Sequence, residues 1–111
     1  MDASIVNVLG DEFAAGTVTL ETTPREFIKK FAKEHPEEAS SIFGGQQELE
    51  KAINSDFAID VTKSSVSLVS GNEYLPLNWD ANLLNQGDKV KELVKNAKNL
   101  VFNVSVSMPN A

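Results

Sequence analysis

The chain has 111 residues, no cysteine and a net charge of -6 from 16 acidic and 10 basic side chains. This length suits a single domain, residues 1–111, whose core needs no disulfide or metal. The missing cysteines exclude a disulfide framework, a thiol nucleophile and a thiolate metal site, and they favour an intracellular, cytoplasmic protein. The acidic excess disfavours direct nucleic-acid binding, and no segment is apolar for long enough to predict a membrane span.

The N-terminal part is predicted to form a hairpin. Residues 4–9 are apolar enough for a strand, and turn residues follow it. A second strand is predicted over residues 17–22, where Val18 and Leu20 alternate with polar side chains. Phe13 falls in the predicted connection, where we interpret it as a plug that closes one end of the core. The alternative is an exposed anchor for a partner.

The next segment is predicted to form three short helices. Thr23 and the Pro24 that follows it have the spacing of a helix cap, so a first helix begins there. It should end near His35, because Pro36 disfavours helical geometry in the residue before it. Pro36 can start a second helix that Gly44 ends, and the apolar spacing of residues 46–53 predicts a third.

Strand periodicity returns in the second half of the chain. Residues 57–61, 66–69 and 73–75 are predicted to be short strands of a meander, with Pro76 at a sheet edge. An ordered connection follows, in which Trp79 covers the core.

The connection and the last helix each contain a candidate capping residue. Asp80 is predicted to cap a single helical turn, and Asp88 is predicted to be the N-cap of the last helix. Val90 and Val94 should form part of the apolar face of that helix.

The final element has the clearest strand pattern in the chain. Within residues 100–108, Leu100, Phe102 and Val104 alternate with less apolar residues, and so long a strand belongs at the centre of a sheet. Together the elements predict an α+β fold. We expect a mixed or antiparallel sheet of five to six strands with two to four helices packed on one face.

Catalytic chemistry has few candidates in this sequence. The single histidine, His35, lies at a predicted helix end, where we interpret it as a cap. Paired carboxylates at Asp56 and Asp60, or Asp80 near Trp79, would support a hydrolase or transferase only if one of them lies in a cleft that separates their pKa values. We therefore predict a non-enzymatic protein without a cofactor or metal.

The main prediction is a small acidic protein-interaction module, an adaptor, regulator or inhibitor of a larger protein. Its candidate apolar contacts for a protein partner are Phe13, Ile42, Phe43, Tyr74 and Trp79.

An alternative is an acidic mimic of nucleic acid that blocks a basic groove in its target. Its candidate residues are Glu37, Glu38, Glu48 and Glu50, for which a solvated helical surface is the ordinary explanation. Lys89, Lys91, Lys95 and Lys98 make a local positive face near the last helix, although they lack the interleaved aromatic residues of a nucleic-acid site.

Several short motifs occur in an order that suggests a family. Residues 17–21 with Pro24, the sequence Ile42-Phe43-Gly44-Gly45, and residues 55–59 and 66–69 are similar to successive parts of ubiquitin. They resemble its second strand and helix start, its middle hairpin, the turn before its last strand, and that strand.

Residues 17–69 thus resemble a ubiquitin-like (β-grasp) domain. The resemblance implies that Ile42 and Val69 belong to the apolar patch through which such domains bind partners. The chain ends at residues 108–111 without the paired glycines used for conjugation, so we expect no conjugation.

Overall fold

The computed structural model describes residues 1–109. Asn110 and Ala111, which belong to the chain end considered in the sequence, lie outside that range. The strands are β1 (Asp2–Val6), β2 (Glu12–Thr17), β3 (Ser65–Ser70), β4 (Glu73–Pro76) and β5 (Asn99–Ser105). The helices are α1 (Pro24–Glu34), α2 (Pro36–Phe43), α3 (Gln46–Asn54) and α4 (Asp88–Asn96), and a single 3₁₀ turn spans Leu83–Asn85. These elements confirm the predicted α+β class: the described residues form a mixed sheet of five strands accompanied by four helices.

Strand β5 lies at the centre of the sheet, whose order is β2-β1-β5-β3-β4. It runs parallel to β1 and antiparallel to β3, while β1–β2 and β3–β4 are antiparallel pairs. Leu100, Phe102 and Val104 are all buried, as their alternation predicts. The strand ends at Ser105, earlier than predicted, where the chain leaves the ladder and Val106 donates its N–H to the carbonyl of Ile42.

One row of apolar residues crosses the whole sheet on its buried face. Residues directly opposite each other on paired strands point to the same face, and the row formed in this way is Phe13, Ile5, Phe102, Leu68 and Leu75. Helix α1 packs on this row, since the ring of Phe27 lies 4.7 Å from that of Phe102, centroid to centroid. Part of the core therefore lies between the sheet and α1, and buried residues of α2, α3 and α4 belong to the same cluster.

The second strand lies earlier in the chain than predicted. Residues 17–22 were expected to form it, but β2 ends at Thr17, and Phe13 is therefore a strand residue and not part of the connection. The hydroxyl of Thr22 accepts the N–H of Thr19, and the N–H of Thr22 bonds the carbonyl of Thr19. These local bonds close a turn, which competes with strand pairing despite the alternating pattern.

The three predicted helices are confirmed. The Thr23 hydroxyl accepts the N–H of Glu26 at 3.1 Å and caps α1, and Pro36 begins α2 directly after the end of α1. Gly44, at φ 86°, ends α2 in the left-handed conformation that glycine adopts without strain. Because α3 follows at once, the middle hairpin that the ubiquitin resemblance placed at residues 42–45 is absent from those residues.

The prediction of a strand over residues 57–61 is wrong. Asp56 and Phe57 have positive φ angles of 53° and 60°, and the N–H of Phe57 bonds the carbonyl of Ala52 at the end of α3. The side chain of Phe57 is buried with its ring 6.0 Å from that of Phe43. The buried ring of Phe57 holds the chain in a turn. The alternation of apolar residues in the sequence does not indicate this contact.

The β3–β4 hairpin forms as predicted, with Pro76 at the end of an edge strand. In the connection after it, Asn82 caps the 3₁₀ turn, so the prediction that Asp80 does so is wrong. The N-cap of α4 is Gly87, at φ 103°, and Asp88 is the first helical residue instead of the cap. There Asp88 still interacts favourably with the helix dipole.

The central position of Phe102 predicts a large mutational effect. Phe102→Ala should lower the free energy of unfolding by about 3–5 kcal/mol, because it leaves a cavity between the sheet and α1. Val101→Ala, on the other face of the same strand, should cost about 1 kcal/mol or less. Urea unfolding of both variants measures the difference, and equal losses would contradict the assignment of the buried face.

Candidate protein-interaction surface

Most of the apolar residues predicted to bind a partner belong to the core. Ile42, Phe43 and Trp79 are 4%, 2% and 6% exposed, so they cannot form an accessible surface in this structure. Phe13 is half-buried, and its ring lies 6.4 Å from that of Phe31. Ile42 and Phe43 lie at the end of α2, whose apolar face packs inward. Of this group, only Tyr74 is exposed.

Tyr74 and Val69 lie on the face of the sheet opposite the Phe102 row. They face each other across the β3–β4 pair, where Tyr74 is 60% exposed and Val69 is half-buried. We call this surface the open face. Its half-buried or exposed residues include Ser4, Val6, Ser67, Val69, Tyr74, Val101 and Asn103, and the strand pairing also places the exposed Glu12, Ala14 and Pro76 on it.

The most exposed large apolar side chains lie in the β1–β2 connection. Val8 is 71% exposed and Leu9 is 80% exposed, the highest values among the large hydrophobic residues described. Both lie in the segment 7–11, which we call the tip loop. Two adjacent apolar side chains that project so far into solvent contribute little to folding, so they are candidates for contact with another molecule.

The buried side chain of Asn7 closes the tip loop. Asn7 is 1% exposed, and its Oδ1 accepts the N–H groups of Leu9 at 2.9 Å and Asp11 at 3.0 Å. Its Nδ2 donates to the hydroxyl of Ser41 on α2 at 3.1 Å. The backbone N–H of Asn7 also bonds the carbonyl of Asp11, and Gly10 donates to the carbonyl of Asn7. These hydrogen bonds hold the loop in one conformation, in which the side chains of Val8 and Leu9 are exposed to solvent.

Acidic residues follow this loop in the chain and lie on the helix that is bonded to it. Asp11 and Glu12 are exposed directly after it. The bond from Asn7 to Ser41 also holds α2 beside the loop, and the predicted residues Glu37 and Glu38 are exposed on that helix, four and three residues before Ser41 respectively. The tip loop thus presents apolar side chains in an acidic setting.

The other two predicted acids lie farther along the chain, on α3. Glu48 is half-buried and pairs with Lys51 at 3.1 Å, while Glu50 is exposed. The four predicted glutamates are therefore divided between two helices, and only those on α2 are tied to the tip loop.

The carboxylates considered for catalysis have structural partners. Asp80 accepts two hydrogen bonds from the guanidinium of Arg25, at 2.7 and 3.2 Å, and Asp56 pairs with Lys29. Asp60 accepts the hydroxyl and N–H of Thr62. These hydrogen bonds lower the pKa of all three carboxyls. A general acid of a carboxylate pair requires a raised pKa, and none of these three carboxyls has one.

Residues 1–109 contain no group of three or more His, Asp or Glu side chains placed to hold a metal ion. None of the helices described has the length and apolar character needed to cross a membrane. No protein family, no curated protein and no solved structure matches this chain.

Sequence reasoning missed the tip loop because it extended the first strand to Leu9. The observable signal is Asn7, a polar residue within an apolar run and three residues before Gly10. An asparagine at that spacing can accept backbone N–H groups two and four residues later, as it does here.

The buried hydrogen bonds of Asn7 predict its effect on stability. Asn7→Ala removes them and leaves the N–H groups of Leu9 and Asp11 without that acceptor, so the free energy of unfolding should fall by about 1–3 kcal/mol. Asn103→Ala on the open face is the matched control and should cost less than about 1 kcal/mol. Chemical denaturation compares them. A loss for Asn7→Ala no larger than the control's would contradict the structural role of Asn7.

The Arg25–Asp80 pair predicts a dependence on pH. Because the pKa of Asp80 is lower in the folded protein, the pair stabilises the fold above the carboxyl's ordinary pKa, and this contribution is lost as pH falls through the lowered value. Asp80→Asn should therefore be less stable than wild type at pH 7, by at most about 1 kcal/mol for so exposed a pair. The difference in unfolding free energy between the two proteins should shrink as pH falls below the ordinary carboxyl pKa, and it should disappear once Asp80 is protonated in the folded state. A difference in unfolding free energy that stays constant with pH would contradict this role of the ion pair.

Proposed function

We propose that this chain is a non-enzymatic protein-interaction module that binds its partner through the tip loop. The observation that supports the proposal is the 80% exposure of Leu9 on a loop closed by the buried side chain of Asn7. An intracellular location remains a prediction from the composition.

The energetics of the loop favour binding. Burial of a leucine or valine side chain against a partner contributes about 1.5–3 kcal/mol, which makes Val8 and Leu9 suitable central contacts. Since the hydrogen bonds of Asn7 already order the loop, binding loses little additional conformational entropy. The nearby acids Asp11, Glu12 and Glu38 favour a partner pocket with an apolar floor and a basic rim.

We also propose a ubiquitin-like fold for the chain, on the basis of element order. The family resemblance implied a strand pair, a helix, a hairpin and a last strand, and this chain has β1–β2, the helices, β3–β4 and β5 in that order. The middle hairpin then corresponds to residues 65–76 instead of residues 42–45, and the last strand corresponds to β5 instead of residues 66–69. In this interpretation Val69 stays on the open face, and Ile42 becomes a core residue.

The tip loop predicts a mutational effect on binding. We expect the double variant Val8→Ser, Leu9→Ser to lose at least about tenfold in affinity for the partner, because it removes both central apolar contacts. The control Ile53→Ser, Val61→Ser removes two apolar side chains that are 42% and 45% exposed elsewhere and should bind as wild type does. A pull-down from the source cell, followed by titration of the recovered partner, measures both.

The acidic-mimic alternative gives a different result in the same assay. If it is correct, reversing the charge of Glu37, Glu38, Glu48 and Glu50 abolishes binding, whereas the serine variant of the tip loop binds normally. That combination of results would contradict the tip-loop proposal.

A further inference from the structure

A groove with an apolar floor and a basic rim lies between the turn after β2, the 3₁₀ turn and α4. Its volume is about 590 Å³, and it lies beside Met1. The residues that determine its chemistry are Leu20, Leu84, Lys91, Val94, Lys95 and Ala97. We call it the basic groove.

The floor of the groove is apolar and held in place. Leu20 and Leu84 are each 42% exposed, and the N–H of Leu84 donates to the carbonyl of Leu20 at 3.2 Å. A second bond of 3.2 Å, from the N–H of Leu83 to the carbonyl of Thr22, joins the same two segments. The two leucines therefore stay beside the buried Val94 with accessible apolar surface.

The rim carries positive charge in a chain whose net charge is -6. Lys91 and Lys95 are four residues apart on α4, both are exposed, and both line the groove. Within residues 1–109, neither belongs to an ion pair. Asp88 and Glu92 of the same helix do not line the groove, although they line a neighbouring surface cleft together with Lys91 and Lys95. The groove thus suits apolar side chains accompanied by carboxylates.

The tip loop has this complementary chemistry: Val8 and Leu9 are exposed, and the carboxylates of Asp11 and Glu12 follow them. We propose that the tip loop of one copy of the chain binds in the basic groove of a second copy. The inference does not rest on the function proposed above, because the groove would accept the loop whether or not the loop also binds another protein.

The positions of the two surfaces determine the kind of assembly. Met1 beside the groove and Asn7 at the tip loop flank the five-residue strand β1, so they lie six residue steps apart, about 20 Å at roughly 3.3 Å per residue. One copy cannot fill its own groove with a loop held at the other end of the strand. The contact is therefore head-to-tail, and each copy in a chain of copies offers one loop and one groove.

Analytical ultracentrifugation of the full chain tests the proposal. As the protein concentration rises to about 1 mM, the mean mass should increase above the monomer's 12.1 kDa, and added salt should reduce the increase because Lys91 and Lys95 face carboxylates. A mass that stays at the monomer value over this range at low salt would overturn the proposal.

Two variants then identify the surfaces. A loop variant, Val8→Ser with Leu9→Ser, and a groove variant, Lys91→Glu with Lys95→Glu, should each remain monomeric alone. Mixed in equal amounts, they should form dimers and nothing larger, because only one intact loop and one intact groove remain per pair. The control Lys89→Glu with Lys98→Glu changes the net charge equally outside the groove and should associate as wild type does.

Circular dichroism before each run confirms that the variants are folded. Association of either folded variant alone to the wild-type extent, or failure of the mixture to form dimers while wild type associates, would overturn the proposal.

Discussion

The parallel pairing of β1 with β5 is the constraint on which the rest of the structure depends. Two parallel neighbours cannot be joined by a tight turn, so a long connection must separate β1 from β5 in the sequence. All four helices and the β3–β4 hairpin lie in that connection. Ile5 and Phe102, directly opposite each other in this pair, are 0% and 1% exposed and join the two halves of the sheet at its centre.

This pairing also explains where the two candidate surfaces lie. The tip loop follows β1 directly, and Met1, which lines the basic groove, precedes the same strand. A strand at the centre of a core is rigid because its hydrogen bonds and its buried side chains open only when much of the domain unfolds. The two surfaces are therefore held at a constant separation. The net charge does not reveal that acidic and basic residues are separated in space. The acids near the loop lie at one end of β1, and the lysines of α4 lie at the other.

The features that sequence reasoning predicted correctly have local causes. The hydroxyl of Thr23, the ring of Pro36 and the flexibility of Gly44 act on backbone atoms within a few residues, so their effects on helix ends follow from residue type. Strand β5 was predicted because burial of one face requires the alternation that its sequence shows. Its central position also followed, since a long apolar strand needs a partner on each side.

The incorrect predictions involve interactions that a periodic pattern does not contain. Phe57 was assigned to a strand, but its side chain reaches the core next to Phe43, and that contact across α3 forces a turn. Ile42 and Phe43 were assigned to a surface, but packing of α2 buries them. The tip loop was missed for a similar reason: the bond from Asn7 to Ser41 joins residues 34 positions apart. Sequence reasoning predicted an interaction module, and most of the apolar residues that it assigned to partner contacts lie in the core.

Both proposed contacts depend on an ordered loop that presents Val8 and Leu9 to solvent. Backbone ¹⁵N relaxation of the wild-type protein measures this directly as order parameters for residues 8–11. We expect values near 0.85, equal to those of β1 and β5, because the side chain of Asn7 restrains the loop on the picosecond to nanosecond timescale. Values below about 0.6 for Val8 and Leu9 would show a flexible loop and would contradict the account.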